Sequence, residues 1–357
     1  MTIQKHIEEL PDAEAYLDLV KSLRALPEQE PSPAFHSETL ARMKAGQRVA
    51  FWRSSWIGIA AGLAVLLTAG ALVLSTRSTP SADIQWLLAQ QEKDGTWNPS
   101  RHGGNEQFRP ALTALSVLAL DRSSPHSSKS IQKAMAALGR LQTADGGFAG
   151  GDPQARAYNL AMTTYALATC PATQPKAKPI IQRAVEAITA SQLANGSWDY
   201  ASTPEGNVAL TSWMVRALKS AEASGVETSG IAQRKGLRWL MRMTAHTDGN
   251  VSYKPATAPS ETVTALTAIS FISAGQAFPD IQSCAKQMTE QLSQRNQPEG
   301  QRDCYRDYAK IVALELAGKR DQALRIRNEM KTLLNVPDTW RVAGGDLYTT
   351  TFTALSM

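Results

Sequence analysis

Between Ser54 and Thr76 the chain carries no charged residue, and the centre of that run, Trp56 to Leu74, reads WIGIAAGLAVLLTAGALVL. At about 1.5 Å per residue it crosses a hydrocarbon layer roughly 30 Å thick, and it lacks the polar stripe of a soluble surface helix. It predicts a transmembrane helix over 54–76. After Pro80 the pattern changes. Apolar residues recur at helical spacing, as at Ile131, Met135, Leu138 and Leu141 and again at Ile181, Val185 and Ile188, which predicts amphipathic helices. Past a short polar loop, each is followed by an alanine-rich stretch with Thr and Leu. Thr-Ala-Leu recurs at Thr113–Leu115, Thr264–Leu266 and Thr353–Leu355. Two later pairs follow, 281–292 with 305–316 and 323–334 with 347–357, which brings the expected total after Pro80 to six pairs of helices.

The loops between helices repeat. QEKDGTW (Gln91, Asp94, Gly95, Trp97), QTADGGF (Gln142, Asp145, Gly146, Phe148) and QLANGSW (Gln192, Asn195, Gly196, Trp198) align without gaps, with glutamines 51 and 50 residues apart. A fourth copy, TDGNVSY, keeps Asp248 and Gly249, has lost the glutamine, and carries its aromatic, Tyr253, two places late. Asp or Asn before Gly supplies a turn, because glycine takes φ > 0 at little cost. The aromatic is expected to bury area between adjacent pairs, and the glutamine amide to satisfy backbone groups at a helix end. One such unit cannot bury both faces alone. Stacking units side by side does so, and closing the stack removes its ends.

Before the apolar run the chain has a different character. Asp12 can cap a helix carrying Tyr16, Leu17, Val20 and Leu23 on one face, and Ser32-Pro33 can start a second with Phe35, Leu40 and Met43. Two such short helices cannot build a core of their own. Lys44, Arg48 and Arg53 precede the apolar run, so the positive-inside rule places the N-terminus in the cytoplasm and the repeats outside it, at the inner membrane or its equivalent. The expected division is a cytoplasmic segment 1–53, a transmembrane helix 54–76 and a repeat domain 81–357.

Composition adds little. Hydrophobic residues make up 43% of 357 residues, enough for a large core, and the net charge of +5 is scattered, which argues against a nucleic-acid footprint. Cys170, Cys284 and Cys304 form no metal spacing. Outside the cytoplasm one disulfide is allowed, with Cys284 and Cys304 as the first pair to consider, but an odd count argues against a disulfide scaffold.

The QxxDGxW pattern resembles the repeats of squalene and oxidosqualene cyclases and of protein prenyltransferase β-subunits. The resemblance covers roughly 81–357 and implies an all-α fold, an α/α toroid of six inner and six outer helices, with the helix after each motif on the inner ring. It also implies chemistry that can be checked residue by residue. Squalene-hopene cyclases protonate an alkene with a DxDD cluster, and this chain has none. Prenyltransferases hold zinc with Asp, Cys and His. Here Asp303 and Cys304 are adjacent, and Thr349 follows Tyr348 where the histidine would stand. The GCGEQ thioester of related toroids is missing too. No catalytic, cofactor or metal residues are therefore assigned.

Weaker candidates remain. Asp303 and Asp307 share a helix face, interleaved with Arg302 and Arg306, and read as a compensated patch. Histidines His102, His126 and His246 read as loop residues. Trp213, Tyr165 and Phe352 either line a cavity or form core. Arg109, Asn159, Asn207, Glu261 and Tyr348, near inner-helix starts, would ring one mouth of a closed toroid. The expected function is a membrane-anchored, non-catalytic binding module for an unknown ligand or protein. The alternative is a membrane enzyme acting on an isoprenoid through the toroid cavity. The stretch 23–43, LRALPEQEPSPAFHSETLARM, followed by basic residues and one anchor, is similar to the cytoplasmic part of bacterial transmembrane anti-sigma factors. That resemblance implies a sigma factor as cytoplasmic partner.

Overall fold

The computed structural model describes residues 81–357 apart from 124–127, 172–175, 201–204, 245–248, 255–256, 276–278, 295–301, 334–337 and 339–340. The expected segments 1–53 and 54–76 lie outside the described residues, as does Asp248. Among the described residues there are twelve α-helices and no strand. The outer helices are α1 (Ala82–Ala89), α3 (Ser128–Leu141), α5 (Lys178–Ala190), α7 (Gly230–Thr244), α9 (Pro279–Gln294) and α11 (Arg320–Thr332). The inner ones are α2 (Arg109–Ser123), α4 (Pro153–Thr169), α6 (Val208–Ala223), α8 (Glu261–Ala274), α10 (Cys304–Leu316) and α12 (Arg341–Ser356).

Each inner helix packs on the next, and α12 packs on α2, so the ring closes. Outer helices sit against their inner partners, with α1 against both α2 and α12. The sequence explains this division. Outer α3 buries one stripe, Ile131, Ala134, Met135 and Leu138, and leaves its other face polar. Inner α2 is buried at every position from Pro110 to Leu120, because it has neighbours on all sides. The small side chains Ala, Ser and Thr let six such helices approach one another. Several of their hydroxyls bond within the helix, as Thr267 does to the carbonyl of Val263 at 2.9 Å.

The repeated loop is a staple between successive pairs. Gln142 Nε2 donates to the carbonyl of Gly146 in its own loop at 3.0 Å and to Ile180, in the first turn of the next outer helix, at 2.9 Å. Gln91 does the same to Gly95 and Ser130, at 3.0 and 2.8 Å, and Gln192 to Gly196 and Ala232, at 2.9 and 2.8 Å. The turn carboxylate or amide accepts from the backbone N–H two residues on: Asp94 from Thr96, Asp145 from Gly147, Asn195 from Ser197. Gly146 has φ +84°, and a Cβ there would lie 2.3 Å from the carbonyl oxygen of Arg183. Both the backbone angle and the close approach of α5 therefore demand glycine.

The motif aromatics Trp97, Phe148 and Trp198 are buried. Trp97 Nε1 donates to Leu87 O at 2.6 Å and Trp198 Nε1 to Ile188 O at 2.8 Å, so each indole caps the preceding outer helix. Their backbone N–H groups donate to Thr113 and Thr211 of the following inner helix. In the fourth repeat the group bonded in this way, to Thr264, is Val251, which is fully buried. Val251 thus fills the aromatic slot, and Tyr253, two residues later, takes the place that Tyr200 has in the third repeat. The late aromatic is a different position and not a shifted one.

The ring is sealed by polar contacts far apart in sequence. Ser116 and Thr351 hydroxyls meet at 3.1 Å. Gly345, at φ +69°, packs so closely on the loop of the first repeat that a Cβ would lie 2.2 Å from His102 O. None of Cys170, Cys284 and Cys304 is in a disulfide, so the pair that the sequence allowed, Cys284–Cys304, is not formed. Cys304 is buried with its thiol donating to Asp338 Oδ2 at 2.7 Å, which commits it elsewhere. Among the described residues no helix is long and apolar enough to cross a membrane.

Candidate functional site

The centre of the ring is filled. Trp213, Tyr308 and Phe352 are fully buried, and the Arg216 guanidinium is stacked 4.4 Å from the Tyr165 ring centroid and 4.3 Å from that of Trp213. Arg216 Nη2 donates to Tyr308 Oη at 3.3 Å, and Trp213 Nε1 to Tyr305 Oη at 2.5 Å. These groups are not plain apolar core, and two of them, Tyr165 and Arg216, also face a cavity on one side. They form a polar-aromatic plug that divides the ring into two mouths.

The mouth at the N-terminal ends of the inner helices gathers five half-buried tyrosines. Tyr158 and Tyr200 lie 6.3 Å apart, and Tyr305 and Tyr348 6.5 Å apart, each measured between ring centroids, while Tyr253 comes from the fourth repeat loop. Burial pushes the Tyr305 and Tyr348 hydroxyls above the usual phenol range. Charged groups cluster beside them on α8 and α10. Lys310 Nζ, fully buried, pairs with Glu261 Oε2 at 3.3 Å. Arg306 Nε pairs with Asp307 Oδ1 at 3.1 Å. Asp303 Oδ1 caps α10 by accepting from the Arg306 N–H at 2.9 Å. Burial raises the Asp307 carboxyl to about 6, against the opposing pull of Arg306. Next to this group, Asp199, itself buried, meets Lys254 at 3.5 Å.

Of the residues expected to ring a mouth, Glu261 and Tyr348 belong to this cluster. Asn207 is the N-cap of α6, its side chain accepting from Leu210 N at 2.9 Å. Asn159 is a buried bracket: its amide donates to Gln107 O and Ala149 O, at 2.8 and 2.7 Å, and accepts from Ala111 N. Arg109 bridges Glu106 at 2.5 Å and Asp94 at 3.5 Å. These three act on the architecture. His102 packs edge-on against Trp86, 4.9 Å between centroids, and His126 and His246 lie outside the described residues. The tyrosine cluster was missed in the sequence because its members come from two loops and three helices.

A closed ring of six inner and six outer helices defines an α/α toroid. The sequence matches the prenyltransferase α-α toroid domain over residues 49–336, and the chain belongs to that family. No curated protein matches it in sequence. Among solved structures it is similar to the GH76A α-1,6-mannanase of Salegentibacter sp. HEL1_6, with a TM-score of 0.57 and 12% identity, covering 77% of this chain and 96% of that one. The inactive variant of that enzyme bound to α-1,6-mannotriose, in which two aspartates are replaced by asparagine, gives a TM-score of 0.58 with the same identity and coverage. At this identity the likeness is one of fold.

These findings correct the expected function. Two solved structures that share the fold are of one α-1,6-mannanase, an enzyme. The expected reading as a non-catalytic module signalling to a sigma factor, with an isoprenoid enzyme as alternative, therefore gives way to one in which the toroid can carry glycoside chemistry. The missing DxDD cluster and zinc ligands belong to other chemistries, so their absence gave no ground for reading the toroid as non-catalytic.

Proposed function

We propose that the toroid is a glycosidase-like catalytic domain with its active site at the tyrosine-lined mouth, Asp307 serving as proton donor and Glu261 as its ionised partner. Glycoside cleavage needs two carboxyls in unlike environments, one retaining a proton and one charged. The observation that carries the reading is that α8 and α10 supply such a pair. Asp307 keeps its proton up to about pH 6 because it is buried, and Glu261 is held as an ion pair by Lys310. Asp307 gives its proton to the departing glycosidic oxygen as the bond to the anomeric carbon breaks. Glu261 takes a proton from the water that attacks that carbon. The five tyrosines offer flat apolar faces with polar tips, suited to sugar rings. Asp307 is enclosed in the structure, so in this reading a bound sugar displaces tyrosine rings to reach it.

The mannanase likeness makes α-1,6-mannan the first substrate to try, although no two aspartates are adjacent in this sequence. The purified full chain should release reducing ends from α-1,6-mannan or another α-linked glycan, and Asp307→Asn should abolish the release. No release from any glycan in such a panel, or full activity in Asp307→Asn, would overturn the reading.

We also propose that this domain stands outside the cytoplasm on a single membrane anchor. The uncharged run 54–76 and the basic residues before it support this. Alkaline phosphatase fused after Met357 should be active in cells. An inactive phosphatase fusion with a fluorescent cytoplasmic reporter at the same place would reverse the topology.

A further inference from the structure

The opposite mouth, at the C-terminal ends of the inner helices, holds a cavity of about 450 Å³. Arg122, Arg216 and Lys219 line it with one carboxylate, Glu315, which is bonded to Arg327 at 2.6 Å, while Lys219 is itself paired with Glu222 at 2.9 Å. Cations near helix C-termini commonly serve to offset the helix dipole, which acts within the last turn. Arg216 does not fit that role, because it lies two turns inside α6, which ends at Ala223. It is also 97% buried, at 3% relative exposure; Tyr165 and Tyr308 share its charge, and its Nη1 makes no hydrogen bond of good geometry. A buried N–H of a charged group left unpaired costs more than an ordinary unsatisfied donor. A second polar atom of the same cavity, Thr169 Oγ1, is likewise buried and unpartnered. Two unpaired polar groups, one of them a cation, thus face a cavity whose other polar lining comprises Arg122, Lys219, Glu315, Tyr165 and the hydroxyls of Ser220 and Ser273.

We propose that this cavity binds the phosphate group of a small organic phosphate, with Arg216 Nη1 as its fixed anchor. The spread of the donors favours a phosphate. Arg216 Nη2 gives one N–H to Tyr308 at 3.3 Å, and the other donors stand around the cavity and not along one guanidinium edge. The remaining donors are Arg122 on α2, Thr169 on α4, Lys219 and Ser220 on α6 and Ser273 on α8, spread as the oxygens of a phosphate require. The volume exceeds that of a free phosphate and lies in the range of small-ligand sites. Ile269, Val312 and Leu316 form an apolar wall for the rest of the molecule. This site is separate from the mouth proposed for glycan cleavage.

The test is calorimetric titration of the purified full chain with glucose 6-phosphate, glucose and inorganic phosphate, with phosphatidylglycerol vesicles in a parallel sedimentation arm. Glucose 6-phosphate should bind saturably and glucose should not. Arg122→Gln and Lys219→Gln, both nearer the surface than Arg216, should each weaken binding by about tenfold, the effect of losing one charge-assisted hydrogen bond. Arg216→Lys, which keeps the charge and loses the aimed Nη1, should weaken it at least as much. If vesicles bind in an Arg122-dependent manner and glucose 6-phosphate does not, the phosphate belongs to a lipid and the site stands. Glucose 6-phosphate binding no better than glucose with no vesicle capture, or binding indifferent to Arg122→Gln and Lys219→Gln together, would overturn the site.

Discussion

Gln142 reaches out of its own repeat and donates to the carbonyl of Ile180 in the next outer helix, 2.9 Å away. The same amide nitrogen also holds the Gly146 carbonyl, and Arg183 donates to Gln142 Oε1. One side chain therefore fixes both the loop and the docking of α5. Gln142→Ala should cost about 1–3 kcal/mol, the range for removing a partner from part-buried backbone groups. Urea unfolding should show a lower midpoint with an unchanged m-value. An unchanged midpoint would mean that water replaces the amide at no loss.

Two glycines separate backbone strain from collision. Gly146 and Gly275 both have positive φ, +84° and +77°, but a Cβ on Gly275 meets nothing within 4 Å. Gly275→Ala should cost about 1–2 kcal/mol for the left-handed conformation alone. Gly146→Ala adds the clash with Arg183 O and should cost more than about 3 kcal/mol. Paired thermal melts check the order. Equal costs would show that α5 moves away freely.

Closure of the ring makes its stability collective. The last helix meets α1, α2 and α10, and it supplies Thr351 to Ser116 and Phe352 to the central plug. Deleting 341–357 should unfold the whole domain. Loss of helical circular dichroism in proportion to the residues removed, with the remainder melting as before, would reveal an open stack.

Asp307 sets a pH dependence of definite sign. Its folded value of about 6 lies above the ordinary 3.8. As pH rises between these values the unfolded chain loses its proton first, so the folded state loses stability, and above about pH 6 the penalty is constant. Asp307→Asn removes this response. The stability of the variant relative to the parent should therefore improve between pH 4 and 7, whatever constant offset the lost Arg306 contact adds. A parallel pair of stability curves over that window would show that Asp307 titrates normally. If the proposed chemistry holds, glycan cleavage by the parent should also decline above about pH 6.

The architecture was legible because it repeats. Three glutamines, three turn glycines and the alternation of striped and uniformly apolar helices each report one local physical need, and the structure meets each in the same way three times. The fourth repeat misled where Val251 took the aromatic slot, since a buried aliphatic leaves no mark in a motif search. The site was less legible for a different reason. Glu261, Lys310 and Asp307 lie on two helices about fifty residues apart, and Tyr158, Tyr200, Tyr253, Tyr305 and Tyr348 have no common spacing. Asp303 and Asp307 were visible as a pair on one face, but the enclosure that raises Asp307 depends on the whole ring. Arg216 carries no mark in the sequence, because only the fold sets Tyr165 and Trp213 on its two sides.

The contact between Ser116 and Thr351 spans 235 residues of chain. A ribosome makes Ser116 early and Thr351 near the end of this sequence, so the centre of the ring has no lid for most of synthesis. Trp213, Arg216 and Tyr308 are laid down with one wall missing, and the missing wall is the sixteen-residue α12. Contacts this distant in sequence form late and slowly, and a nascent chain in that state offers exposed aromatics to chaperones and to other nascent copies. Translation pausing before Arg341 would lengthen that exposure, and the yield of folded protein would then depend on how quickly the last helix arrives.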